Sequence, residues 1–170
     1  MDSETALRVE AAVIDALGLG ELSNAVRGWR SVELGRMPLR QLVAYYDARP
    51  VVIRDPVLLI RVNQLYRHGM SAQALYDITR GIWLLNPDRA AGARYALAVF
   101  EGVVREVYEI RNWYPAGSTK YKTRKGMRIS GRWEFMGKVA SESVRQHYVD
   151  RSVKGYFPRG SRAPFRYVGC

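Results

Sequence analysis

The stretch Tyr95–Ile110 constrains the fold more than any other in this sequence. Two runs rich in β-branched and aromatic residues, Tyr95–Phe100 and Val103–Ile110, are separated only by Glu101-Gly102. A two-residue connection between such runs predicts a hairpin, because Gly accepts the positive φ that a tight hairpin turn requires. A sheet must then be built around that hairpin. Val57–Val62, Arg132–Val139 and Pro164–Val168 are further strand candidates, and Val51–Ile53 is another β-branched run. Helix signals fall between them. Ser71 can cap a helix that carries Leu75, Ile78, Thr79 and Ile82 down one side. Asn86-Pro87-Asp88 begins a helical turn ending near Gly92, and Ser141 can cap a short helix to Val149.

Before Pro50 the pattern is helical instead. Leu7, Glu10, Ala11, Ile14 and Leu17 share one helical face, so the Glu10 carboxylate points with the core-seeking residues. A buried charge costs several kcal/mol unless a cation meets it, which calls for an Arg, a Lys or a metal. Pro38 is placed to start a second helix with Leu39, Leu42, Val43 and Tyr46 on its apolar face, and Arg49-Pro50 ends it. The expected architecture is α+β. N-terminal helices occupy residues 1–50, and residues 51–170 form a small curved antiparallel sheet or partial β-barrel.

Charge gives the strongest hint of a ligand. The formal net charge is +11, a balance that favours polyanions, nucleic acid above all. Between residues 111 and 138 the cations are Arg111, Lys120, Lys122, Arg124, Lys125, Arg128, Arg132 and Lys138, and Glu134 is the only acid. Trp113, Tyr114, Tyr121, Trp133 and Phe135 are interleaved with them. Phosphates attract Lys and Arg, and unpaired bases stack on aromatic rings. Residues 117–131 have little apolar content and read as a mobile charged loop. Lys154, Arg159, Arg162 and Arg166 form a second basic cluster near Tyr156 and Phe157. Against base stacking stands the ordinary expectation that Trp133, Phe135, Tyr156 and Tyr167 are core residues of small strands.

Other chemistries find little support. Cys170 is the only cysteine, which excludes an internal disulfide framework and a multi-Cys zinc site. His68 and His147 lack metal-ligand spacing and read as surface or packing residues. G-x-S-x-G, P-loop and G-x-G-x-x-G motifs are absent. The first residues carry acids where a signal peptide has bases, and no apolar run approaches a membrane span, so the expected location is the cytoplasm.

Val9–Asp15 and Leu22–Gly28 resemble the C-terminal part of a GIY-YIG nuclease domain, in the branch of the ankyrin-repeat and LEM-domain endonuclease and its bacterial relatives. That family has a helix of the form E-A-x-x-I-D, followed after a short connector by L-T/S-N-x-x-x-G. The resemblance implies that Glu10 binds the catalytic divalent metal, Mg²⁺ in the complete protein, and that Asn24 is a structural or site-edge residue. It also implies DNA ahead of RNA as the partner. The chain from Leu58 onward resembles the β-rich extension of bacterial members, for which a PUA-like or EVE-like barrel is the nearest fold analogy. The family's GIY and YIG strands, with their tyrosine and arginine, should precede Glu10 and have no counterpart here. The chain therefore reads as a truncated, split or decayed relative, with no cofactor of its own and the missing nuclease half as a possible partner. It is expected to bind nucleic acid without being a competent nuclease. Two rivals stand beside this reading. One is an assembly module whose basic surface meets an acidic protein. The other is an enzyme of another class with Glu101, Glu106, Glu109 or Glu134 in a pocket of the β-rich module.

Overall fold

The computed structural model describes Ala44, residues 46–126 and residues 129–170. The helix expected before Pro38 and most of the one expected from Pro38, together with Glu10 and Asn24, lie outside the described residues, as does Arg128. Of the helix expected from Pro38, only Ala44 and Tyr46 through Arg49 are described; Ala44 and Tyr46 are helical and Asp47 is a bend.

The described residues form an α+β fold. In chain order the elements are β1 (Val57–Arg61), α1 (Ala72–Thr79), β2 (Gly81–Trp83), α2 (Pro87–Ala91), β3 (Tyr95–Phe100), β4 (Val103–Pro115), β5 (Trp133–Val139), α3 (Glu142–Tyr148), a 3₁₀ turn (Lys154–Tyr156) and β6 (Phe165–Val168). The six strands make one sheet in the order β2-β5-β4-β3-β1-β6, curled into a half-barrel. The sheet is mixed rather than antiparallel, because β1 lies parallel to β3. A parallel pair needs a long crossover, which α1, β2 and α2 supply.

The parallel pair explains the apolar runs VLLI and YALAVF. Leu58, Ile60, Ala96, Ala98 and Phe100 pack on one face, and Val57, Leu59, Tyr95, Leu97 and Val99 pack on the other. Strands covered on both faces read as continuous apolar runs instead of alternating ones. The first face holds Tyr108, Phe135 and residues of α1. The second is covered by Tyr148 of α3 and by Val153 and Phe157 beyond it.

The hairpin at Glu101-Gly102 forms, with φ of 50° and 81° at the two residues. Lys154 lies so close to Gly102 that a Cβ there would strike it. Two irregularities bend β4. Ala98 pairs Glu106 while Val99 pairs Val104, leaving Arg105 as an extra residue, and Arg111 is extra between Ile110 and Asn112. Such bulges increase twist and bend the strand, which supplies part of the curl. β4 runs on to Pro115, past the predicted end at Ile110.

Local capping works as the sequence indicates at Ser71 and Asn86. The Ser71 hydroxyl accepts from Ala74 N at 3.2 Å, and Asn86 Oδ1 accepts from Asp88 N and Arg89 N. Ile82 is the exception. It sits in β2 rather than on α1, because the helix ends at Thr79 and Arg80 turns the chain into the sheet. Val51–Ile53 forms no strand, although Val51 N donates to Ser152 O and joins this segment to the sheet module. Ser141 stands at the N-cap of α3, but its side chain meets Ser143 and caps no backbone N–H.

His68 and His147 both have packing roles. The His68 ring meets Tyr66 and Phe100 edge-on, and burial, reinforced by the nearby Arg105 charge, lowers its pKa to about 4. His147 Nε2 lies 3.1 Å from Val52 O.

Candidate nucleic-acid interface

The basic segment after β4 is tied to the fold by two buried carboxylates. Asp77, on the last turn of α1, is 1% exposed, and Glu134 of β5 is fully buried. Lys122 N and Thr123 N donate to Asp77 Oδ2 at 3.0 and 2.8 Å, and the Thr123 hydroxyl donates to the same oxygen at 2.8 Å. Glu134 accepts from Gly117 N at 3.2 Å, Thr119 N at 2.8 Å and the Thr119 hydroxyl at 2.7 Å. Arg80 joins the two acids. Its Nε lies 3.4 Å from Asp77 Oδ1, while Nη1 donates to Thr119 Oγ1 and Nη2 to Lys120 O. Its guanidinium stacks 3.8 Å over the Tyr121 ring.

This pinning corrects the expectation of a mobile loop across residues 117–131, at least from Gly117 to Thr123. The reason is that acids distant in sequence bind the loop's backbone amides, an interaction that loop composition does not reveal. Burial alone would raise both carboxyls, but the hydrogen bonds outweigh it. Those from Thr123, Lys122 and Gln73 hold Asp77 below its ordinary range, and those from Thr119 and Gly117 do the same for Glu134. The one acid of the basic segment is therefore spent inside the fold, while Lys120, Lys122 and Lys125 stay exposed.

Beside this anchor lies a cavity of about 650 Å³. It occupies the seam where the open edge of β2 comes round toward β6, and Trp83 and Phe165 have ring centroids 6.5 Å apart there. Among the described residues four arginines line it, Arg61, Arg124, Arg132 and Arg162, and no Asp or Glu does. Ile78, Ile82, Val62 and Trp83 give it an apolar side, and Asn63, Gln64 and Leu65 lie at the end of β1.

Backbone carbonyls hold three of these arginines in place. Arg124 Nη1 donates to Gly81 O at 2.5 Å and Asp77 O at 3.3 Å, and Arg132 Nη1 donates to Ile82 O at 3.4 Å. Arg61 Nη1 donates to Ser161 O at 2.5 Å, and its guanidinium stacks 3.9 Å over the Phe157 ring. Burial pushes the Arg124 guanidinium down from its ordinary value, opposed by Tyr121 and Asp77 and reinforced by Arg80. A Cβ at Gly81 would strike Tyr121 Oη and lie 2.8 Å from Glu134 Cβ, so glycine is what lets the loop close against β2.

Of the cations singled out from sequence, the structure brings Arg124, Arg132 and Arg162 together at this cavity. The others are dispersed. Arg111 sits at the bulge of β4, Lys138 pairs with Glu109 at 3.2 Å, and Lys154 packs by the hairpin turn. Arg159 and Arg166 are exposed. Arg61 and Trp83 were not legible as site residues. Arg61 merely ends an apolar strand, and β2 is too short to show a period.

The aromatic residues divide in the same way. Phe135 and Phe157 are core, while Trp113, Trp133, Tyr156 and Tyr167 are half-buried. The acids considered for an enzyme of another class have separate structural uses. Glu106 pairs with Arg145 at 2.8 Å, Glu109 with Lys138, Glu134 binds the loop, and Glu101 sits in the hairpin turn. Among the described residues no group of three or more His, Cys, Asp or Glu is placed to hold a metal ion, and no helix is long and apolar enough to cross a membrane. No protein-family model, curated protein or solved structure matches the chain.

Proposed function

We propose that this chain is the nucleic-acid-binding portion of a GIY-YIG-type endonuclease and is not a competent nuclease by itself. The observation that carries the binding role is the segregation of charge. Asp77 and Glu134 are turned inward onto loop amides, so Lys120, Lys122 and Lys125 face solvent next to a cavity lined by arginines. A surface of that kind meets phosphates by counterion release, which makes affinity fall steeply with salt. The nuclease relationship rests on the likeness around Glu10 and Asn24. In the complete centre Glu10 would hold the divalent metal, and DNA is the partner that likeness favours.

The test is fluorescence anisotropy with labelled DNA across a salt series. Log affinity should fall linearly with log salt. The triple variant Lys120→Glu/Lys122→Glu/Lys125→Glu should weaken binding to every sequence and flatten the slope by about 0.7–0.9 per lost phosphate contact. Affinity that is indifferent to salt, or unchanged in the triple variant, would remove the binding reading. Metal-dependent cleavage by this chain, abolished by Glu10→Ala, would overturn the statement that it is not a competent nuclease.

A further inference from the structure

Four guanidinium groups around one partly enclosed cavity, with no carboxylate among the described lining residues, repel one another. That repulsion is weakly screened where water is limited. The backbone carbonyls of Gly81, Ile82 and Ser161 offset it with partial charges, each engaging a single Nη1 atom, and the Asp77 carboxylate, which is already bound by the loop amides, acts on Arg124 alone of the four. A guanidinium has five N–H donors in a planar fork, so Arg61, Arg124 and Arg132 retain donors beyond those bonds. An anionic group entering the cavity would be met by charge-assisted hydrogen bonds from arginines already held in position.

Phosphate alone would not account for the rest of the site. The cavity volume falls within the ~300–1,000 Å³ typical of small-molecule sites, and one side is apolar, with Trp83 and Leu65 in its lining. A flat aromatic group joined to an anion fits such a division. We infer that the seam cavity takes one nucleotide whose base is unpaired, with its phosphate toward the arginines and its base toward Trp83 and Leu65. This rests on the nucleic-acid reading above and narrows it to single-stranded substrate, because bases stacked within a duplex cannot enter a concave site. The same chemistry could come from a free mononucleotide or from a residue of a strand.

The experiment uses the full chain and three probes: a 5′-mononucleotide, a labelled single strand of about ten nucleotides, and the duplex of that strand. The two variants are Leu65→Trp, which fills the cavity, and Arg162→Glu, which reverses one of its charges. Both positions are exposed, and circular dichroism checks that each variant keeps the fold. The single strand should bind more tightly than the duplex. Leu65→Trp should lower strand affinity about tenfold while leaving duplex affinity little changed, and Arg162→Glu should lower strand affinity about tenfold and by more than it lowers duplex affinity. A mononucleotide that competes with the strand marks the cavity as a nucleotide site in its own right, whereas a strand that binds without such competition places the site's specificity in the polymer. Strand binding that is unchanged in both folded variants overturns the cavity assignment and leaves the nucleic-acid reading standing. Failure of all three probes to bind removes both.

Discussion

Two arginine-rich regions lie side by side along the turn from α1 into β2, and they use the same charge in opposite ways. In the loop anchor, Arg80 is 1% exposed and is surrounded by Asp77, Thr119, Lys120 O and the Tyr121 ring. In the seam cavity, Arg61, Arg124, Arg132 and Arg162 line space with no Asp or Glu among the described lining residues. A buried ion with all its partners in place is part of the architecture, and removing it strands those partners. An arginine facing an acid-free cavity is instead a charge whose counterpart comes from outside. Arg124 belongs to both regions, since it lines the cavity while donating to Asp77 O.

The largest effect that would sharpen this contrast is on Arg80. Arg80→Ala leaves Asp77 buried without its cation and frees the loop carbonyl and hydroxyl that Arg80 holds, so it should cost about 3–5 kcal/mol in urea unfolding. A loss below 1 kcal/mol would mean that the anchor does not bear on stability.

A smaller effect follows from the carboxylates. The folded pKa values of Asp77 and Glu134 lie below their ordinary values. The stability they contribute is therefore fully present above about pH 4.5, the region of an ordinary Glu, and is lost as pH falls through the lower folded values. Glu134→Gln should be about 1–3 kcal/mol less stable than the parent at neutral pH and should converge with it in acid. Parallel pH profiles for the two proteins would break the assignment.

The smallest effect is expected on the cavity side. Arg162→Ala should shift stability by no more than about 0.5 kcal/mol, in the range of ordinary surface changes, while still weakening strand binding. A large loss of stability there would erase the distinction between the two regions.

Local signals carried most of the element pattern. The Glu101-Gly102 turn, the Ser71 and Asn86 caps and the strands near Val57, Trp133 and Phe165 were all readable, because each depends on neighbouring residues. The parallel pairing of β1 with β3 was not, since a run buried on both faces gives no direction. β2 escaped notice for want of length, and with it went Trp83 and the seam. The basic segment was legible as charge, but its anchoring depends on Asp77, which lies more than forty residues away from the amides it binds. Of the proposed site, Arg124, Arg132 and Arg162 could be picked out from composition. Arg61 needed the fold, which brings the end of β1 to Ser161.

The pairing of β6 with β1 also has a consequence for biosynthesis. Leu58 pairs with Tyr167 and Ile60 with Phe165, so the strand that completes one edge of the sheet is made after the other five. During synthesis β1 and the hairpin can pair early, but the flank of β1 stays bare until Val168 has left the ribosome. Its apolar run is then an unpaired edge of the kind that templates wrong partners. A nascent chain stalled before β6 should therefore be the form most prone to aggregate, and the last strand acts as the latch that ends this exposure.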